Sequence, residues 1–113
     1  MKKPIDYINL EEDMPRVAEA MDMLKNKIKR CRQNKINCLY IIHGYGSSGK
    51  GGAIRLCVRK WLNAQLSGSK IKACVFGEEF NIVDKTSRSL KERYSGLDEL
   101  THIHNHGVTV IEL

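Results

Sequence analysis

A histidine, a lysine and several glycines stand close together in the middle of this sequence, in the stretch His43-Gly44-Tyr45-Gly46-Ser47-Ser48-Gly49-Lys50-Gly51-Gly52. Glycines let a backbone approach a phosphate closely, and the exposed N–H groups of such a loop favour an anion. Lys50 adds a positive charge, while Ser47 and Ser48 add hydroxyl groups. The stretch therefore predicts a phosphate-binding loop, in which Tyr45 is placed to stack on a base.

The same loop comes close to the pattern of nucleotide-binding P-loops. Gly44-x-x-x-x-Gly49-Lys50 fits that pattern, but Gly51 stands where a serine or threonine would hold magnesium. The nearest candidate for a second magnesium ligand, Asp84, lies in a polar stretch. We therefore interpret the match as a general phosphate-binding loop and expect no cofactor.

Two roles stay open for His43. Its imidazole could donate to a phosphate or act as a general base, or it could hold the glycine turn in place. His102, His104 and His106 alternate, so in a strand they would share one face and could bind a metal. Since no carboxylate or cysteine accompanies them in the sequence, we assign no metal site.

Positive charge is concentrated in one part of the chain. Residues 25–77 contain twelve lysines and arginines and no acid, within a chain of formal net charge +6. This acid-free block predicts a basic face and a polyanionic partner, which we expect to be DNA or RNA. The alternatives are a solvated surface, a protein partner or the ribosome. The helical spacing places its candidate contacts on two helices, namely Lys25, Lys29 and Arg32 on the first and Arg55 and Arg59 on the second.

Hydrophobic patterning positions the loop within an α/β fold. The pattern predicts a two-layer sandwich of order β-α-β-α-β-β, with a mixed sheet, two main helices and a polar insertion before the last strand. The last strand is expected to be antiparallel, at an edge or beside the centre of the sheet. The predicted strands are 5–10, 38–42, 71–76 and 108–113; the helices are 13–33, with Asp13 as cap and Pro15 in the first turn, and 53–66; the insertion is 78–104, with a short helix near 86–94.

Length and apolar content predict a single domain over residues 1–113. The longest apolar run, residues 38–42, is far too short to cross a bilayer, so we expect no membrane partner. The first residues lack the apolar stretch of a signal peptide, and the four cysteines form no close pair. These features favour a cytoplasmic location.

The stretch from Leu39 to Gly52, followed by Ile54-Arg55 and by residues 58–62, resembles the core of the small MutS-related (Smr) domain. In that family a strand ends in a His-Gly-x-Gly turn, and a helix with a Leu-Arg pair follows. The tail from His106 to Leu113 is similar to the closing glycine and last strand of the family, so the resemblance covers about residues 5–76 and 105–113. It implies the β-α-β-α-β-β sandwich, nucleic-acid binding and, in many members, DNA-nicking or RNA-cleaving activity.

The sequence departs from this family at one motif. Where the first strand of the family usually ends in Asp-Leu-His-Gly, this chain has Asn9-Leu10-Glu11-Glu12. The Asp-x-His pair that the resemblance ties to cleavage is therefore absent. Three hypotheses follow: a nucleic-acid-binding domain with weak or no nuclease activity, an endonuclease that uses His43 with Glu11 as proton acceptor, and a protein- or ribosome-interaction module.

Overall fold

The fold is that of a computed structural model, which describes residues 2–12, 15–44, 50–81, 83–97 and 107–113, without the side chains of residues 50 and 51. Its elements follow the predicted order, with a short 3₁₀ turn after the third strand. They are β1 (Asp6–Asn9), α1 (Val17–Gln33), β2 (Cys38–Ile42), α2 (Lys50–Ser67), β3 (Ala73–Phe76), the 3₁₀ turn (Gly77–Glu79), α3 (Lys85–Arg93) and β4 (Val108–Glu112).

The four strands form one mixed sheet in the order β1-β2-β4-β3. β1 and β2 are parallel, joined through α1, whereas β4 lies between β2 and β3 and is antiparallel to both. All five residues of β4 are buried, as expected for a strand with neighbours on both sides and helices over both faces. The α/β class and the mixed sheet predicted from the sequence are confirmed.

Helices α1 and α2 cover one face of the sheet. The apolar stripe of α1 includes Leu24 and Ile28, which are buried in one cluster with Leu39 of β2 and Ile111 of β4. This stripe repeats every three or four residues, which is the spacing that keeps side chains on one face of a helix. Among the described residues, no helix has the length and apolar character needed to cross a membrane.

Helix α3 packs on the opposite face, so the insertion is part of the core. Leu90 and Tyr94 are buried there in a cluster with Cys38 of β2 and Val110 of β4. The amino-terminal segment is held against the end of α3, because the Lys3 N–H donates to the Arg93 carbonyl at 2.9 Å. The short helix expected near residues 86–94 forms at Lys85–Arg93.

Two predicted helix starts differ from the structure. The expectation that Pro15 lies in the first turn of α1 is wrong, since the helix begins at Val17 with Arg16 as its N-cap. Glu19 accepts a hydrogen bond from the Arg16 N–H at 3.4 Å, and this local cap sets the start. The predicted cap Asp13 lies outside the described residues. Helix α2 begins at Lys50 instead of residue 53, so its first turn reaches into the glycine-rich stretch.

Candidate nucleic-acid interface

The glycine-rich stretch follows the end of β2, beside the end of β1. Gly44 has a φ of +74°, a backbone conformation that residues with side chains rarely adopt. The His43 and Gly44 N–H groups both donate to the Gly107 carbonyl, at 2.9 and 3.0 Å, which fixes the exit of the strand. Glu11 lies against this turn, since a Cβ atom at position 44 would overlap with Glu11 Oε1. Glu11, His43 and Gly44 thus mark one end of the sheet, and Arg55 lies near enough for its charge to act on His43. We call this end, with these four residues, the loop edge.

His43 is fully buried and both of its ring nitrogens have partners. Nδ1 lies 2.8 Å from the Gly44 carbonyl oxygen, and Nε2 lies 2.8 Å from Thr109 Oγ1. Because a carbonyl can only accept, Nδ1 carries the proton, and Nε2 of the neutral ring accepts from the Thr109 hydroxyl. Thr109 Oγ1 in turn accepts from Arg59 Nε at 3.2 Å. These groups form one chain of hydrogen bonds from α2 through β4 to the turn.

This environment disfavours the charged form of His43. Burial, together with the positive charges of Arg59 and Arg55, lowers the pKa of His43 from 6.5 to about 4. The hydrogen bond to the Gly44 carbonyl opposes this effect but does not outweigh it. At neutral pH the ring is therefore a neutral, hydrogen-bonded group within the protein.

Arg59 is committed to contacts inside the domain. Its guanidinium makes a two-pronged ion pair with Glu78, at 2.7 and 2.6 Å, and also donates to the Val108 carbonyl at 3.1 Å. The guanidinium carbon lies 4.1 Å from the centre of the Phe76 ring, and the side chain is only 11% exposed. Arg59 thus ties α2 to β4 and to the turn after β3.

Arg55 lies one helical turn closer to the loop than Arg59. Its Nε is buried and has no hydrogen-bond partner among the described residues. A buried donor without a partner costs about 1–3 kcal/mol, and Arg55, unlike Arg59, has no ion-pair partner among the described residues. Arg55 is therefore the described base at the loop edge that is best suited to an anionic ligand.

Asn9 and Glu11, at the end of β1, also contact each other. The Asn9 side-chain oxygen accepts a hydrogen bond from the Glu11 N–H at 2.9 Å, which makes a local turn. The Asn9 side chain therefore orients the backbone at Glu11 and does not orient a histidine ring. The Glu11 side chain is exposed beside Gly44, so a carboxylate does stand at the loop edge.

The predicted contacts of α1 lie elsewhere. Lys25, Lys29 and Arg32 share one flank of α1, as predicted, but they line a groove between α1 and the second half of α2. Trp61 is half-buried and lines the same groove. The structure thus brings Glu11, His43, Gly44 and Arg55 together and places the basic flank of α1 at a separate location.

Several predicted residues cannot be placed. Tyr45, Gly46, Ser47 and Ser48 lie outside the described residues, as do His102, His104 and His106. The backbone of Lys50 begins α2, but its side chain is outside the description. The described part of the chain contains no group of three His, Cys, Asp or Glu side chains that could hold a metal ion.

Sequence reasoning missed Thr109 and Glu78. The alternation of β4 places Thr109 on the face that α1 and α2 cover, but the presence of a threonine in a strand does not by itself predict a functional role. Glu78 is the first acid after the acid-free block, and only the fold brings it to Arg59.

Comparison with known proteins agrees with this architecture. The family model for the Smr domain matches residues 13–79, which is more than half of the chain. The crystal structure of the Smr domain of Thermus thermophilus MutS2 is similar, with a TM-score of 0.59, 19% sequence identity and 96% of each chain covered. A search of curated proteins gives no match. The resemblance predicted from the sequence is confirmed, and the chain belongs to the Smr domain family.

Proposed function

We propose that this Smr domain binds nucleic acid through its phosphate backbone. The observation that carries the proposal is the acid-free block of residues 25–77, which supplies β2, α2, β3 and most of α1. A segment with one sign of charge over such a length attracts a polyanion and would be unusual if it served solubility alone. The binding experiment below distinguishes DNA from RNA.

At the loop edge we assign the phosphate contacts to Arg55, Lys50 and the backbone from Gly44 onward, including Tyr45, Gly46, Ser47 and Ser48. Arg55 supports this assignment because it is only half-buried and has no ion-pair partner among the described residues, whereas Arg59 is paired with Glu78. The first turn of α2 adds N–H groups without partners inside the helix, which favour an anion at this end. Arg59 serves a different purpose, since its pair with Glu78 holds α2 in place.

We further propose that the domain cleaves nucleic acid weakly or not at all. A general base must lie within hydrogen-bond reach of the proton that it removes. His43 is 0% exposed, and its ring nitrogens already contact Gly44 and Thr109. The exposed carboxylate of Glu11 would repel a scissile phosphate. Of the two roles open for His43, the structure favours holding the glycine turn.

The proposal is tested by fluorescence anisotropy with labelled single-stranded and duplex DNA and RNA. If about four bases contact phosphates, the logarithm of affinity falls against the logarithm of salt with a slope near −3 to −4 between about 50 and 200 mM. A lack of binding to every probe at low salt would contradict the proposal.

Single-site variants locate the contacts. We expect Lys50→Ala and Arg55→Ala each to weaken binding by about tenfold and to reduce the salt slope by about one. Lys85→Ala, at the start of α3 and outside the block, is the matched control and should bind as the wild type does. A denaturing gel of the saturated complexes tests cleavage, and robust product formation would refute the proposal that the domain cleaves weakly or not at all.

A further inference from the structure

A groove separates α1 from the second half of α2, on the helical layer of the domain. Its floor is apolar, because Ile28 and Ile71 are buried there, and its volume is about 570 Å³. That volume lies within the range of roughly 300–1,000 Å³ that is usual for small-molecule sites. We call it the helix groove; its lining residues are Lys25, Ile28, Lys29, Arg32, Gln33, Trp61, Gln65 and Ile71.

The helix groove is distinct from the loop edge. Trp61 follows the first residue of α2, Lys50, by eleven positions. At 1.5 Å per residue, this spacing places the indole roughly 16 Å along the helix from the loop. The glycine-rich loop is therefore too far away to form part of the helix groove. A nucleic-acid strand that runs along α2 would contact both the loop edge and the groove.

The lining of the groove has the charge of an anion site. Lys25, Lys29 and Arg32 contribute three cations, and the lining contains no acid. The guanidinium of Arg32 is partly oriented, because its NH2 group donates to the Lys70 carbonyl at 2.7 Å. An oriented guanidinium at the rim of a groove is well suited to a phosphate.

The groove also offers a flat aromatic surface and amide groups. The ammonium of Lys25 lies 5.5 Å from the centre of the Trp61 ring, so the indole is covered by a mobile side chain and not by the core alone. Gln33 and Gln65 add amides, which both donate and accept hydrogen bonds. Cations, an indole and amides together match the phosphate, the ring and the edge of a nucleotide.

We propose that the helix groove holds an unstacked base of a single-stranded nucleic acid. The base lies against Trp61 in place of the Lys25 ammonium, while Lys25, Lys29 and Arg32 contact the flanking phosphates. This inference rests on the proposed function, which it extends by a second contact site and by a preference for single strands. A duplex keeps its bases stacked inside the helix, so it can use the cations but not the indole.

The charge of the groove also fits an acidic peptide, but such a peptide would leave the indole and the amides unused. The nucleotide therefore accounts for more of the lining. An acidic peptide becomes one outcome of the test.

Trp61 is the only tryptophan of the chain, so intrinsic fluorescence reports directly on the groove. The full chain is titrated with oligothymidylate, with a duplex of the same length, with inorganic polyphosphate and with polyglutamate, while anisotropy follows binding in parallel. We expect saturable quenching of Trp61 emission by oligothymidylate, and binding without comparable quenching by the duplex and by polyphosphate.

Variants provide a second readout. Trp61→Ala should weaken binding of oligothymidylate by about tenfold and change duplex binding by less than about twofold. Because Trp61 packs against the core, Lys29→Ala serves as a second variant, expected to weaken single-strand binding about threefold to tenfold. Lys85→Ala, at an exposed lysine outside both the groove lining and the acid-free block, is the control and should bind as the wild type does.

The outcomes separate the two proposals. Binding by anisotropy with unchanged Trp61 emission would overturn the groove proposal and leave the loop edge as the site. Quenching by polyglutamate that equals quenching by oligothymidylate would overturn the nucleotide in favour of an acidic peptide. Lack of binding to every nucleic acid would overturn the proposed function as well.

Discussion

Lowering the pH from 7 to 5 should destabilise this domain through His43. In the folded chain the pKa of this histidine is about 4, because the ring is buried and lies near two arginines, whereas its ordinary value is 6.5. Between these two values the unfolded chain binds the proton and the folded chain does not. The stability that the domain owes to a neutral His43 is therefore fully present above pH 6.5 and is lost as the pH falls toward 4.

The size of the effect follows from the two pKa values. Each pKa unit of difference corresponds to 1.36 kcal/mol, so lowering the pH through both pKa values would reduce the free energy of unfolding by about 3 kcal/mol. At pH 5 most of that loss has occurred, and we expect the free energy of unfolding to be lower than at pH 7 by about 2 kcal/mol. This is a substantial share of the 5–15 kcal/mol that is typical of a domain.

Carboxyl groups affect the pH dependence of stability only at lower pH. Although burial opposes it, the hydrogen bond and charge of Lys27 lower the pKa of Asp6 from its ordinary 3.8. Burial likewise opposes ionisation of Glu112, but hydrogen bonds from Tyr94 and Arg93 lower its pKa from 4.5. These contributions are present above the ordinary values and are lost only below about pH 5. The range from pH 7 to 5 therefore separates the effect of His43 from that of these two carboxyl groups.

Urea denaturation, followed by far-ultraviolet circular dichroism at half-unit steps from pH 7 to pH 5, measures the effect. His43→Asn provides the control, because an amide does not titrate; its absolute stability is lower, and only its pH dependence is compared. Wild type should lose about 2 kcal/mol more than the variant over this range. Parallel loss in both proteins would refute the argument that His43 is buried and neutral.

Two further substitutions test the same region. Thr109→Val removes the hydroxyl between His43 and Arg59, leaves the buried His43 Nε2 without this partner, removes one of the hydrogen bonds of Arg59 and should lower the free energy of unfolding by about 2–4 kcal/mol. Thr109→Ser, which keeps the hydroxyl, should lose only about 1 kcal/mol, and equal losses would argue against the hydrogen-bond chain. Gly44→Ala should cost about 1–3 kcal/mol through its positive φ and the contact with Glu11; in a Glu11→Ala background the loss should become smaller but not vanish, and urea denaturation of the single and double variants measures this coupling.

The elements that could be predicted are those in which local pattern and fold agree. β2 was predicted at its observed bounds, since a continuous apolar run between turn residues fits a strand covered on both faces. The stripe of α1 was predicted because each of its apolar residues repeats at helical spacing. The central position of β4 could not be predicted, because hydrophobic pattern records burial but not which strands are neighbours.

The site divides in the same way. Residue type and order placed His43, Gly44 and Glu11 at one end of the sheet. They could not decide whether His43 faces a ligand or the interior, since that depends on Thr109, a residue 66 positions away. The ion pair of Arg59 with Glu78 could not be predicted for the same reason, because the distribution of charges along the chain does not show that these two residues are neighbours in the fold.

The ion pairs explain how a block without acids can be part of a stable fold. Lys27 pairs with Asp6 at 2.9 Å, and Arg59 pairs with Glu78 at 2.6 Å; both acids come from outside the block. Each pair joins a helix of the block to a flanking segment, α1 to β1 and α2 to the turn after β3. Excluding acids from residues 25–77 therefore does not deprive these helices of ionic anchors. It also leaves the lining of the helix groove without an acid, and at the loop edge the only described carboxylate, Glu11, comes from outside the block. A basic groove of this kind is expected of a domain that binds a polyanion.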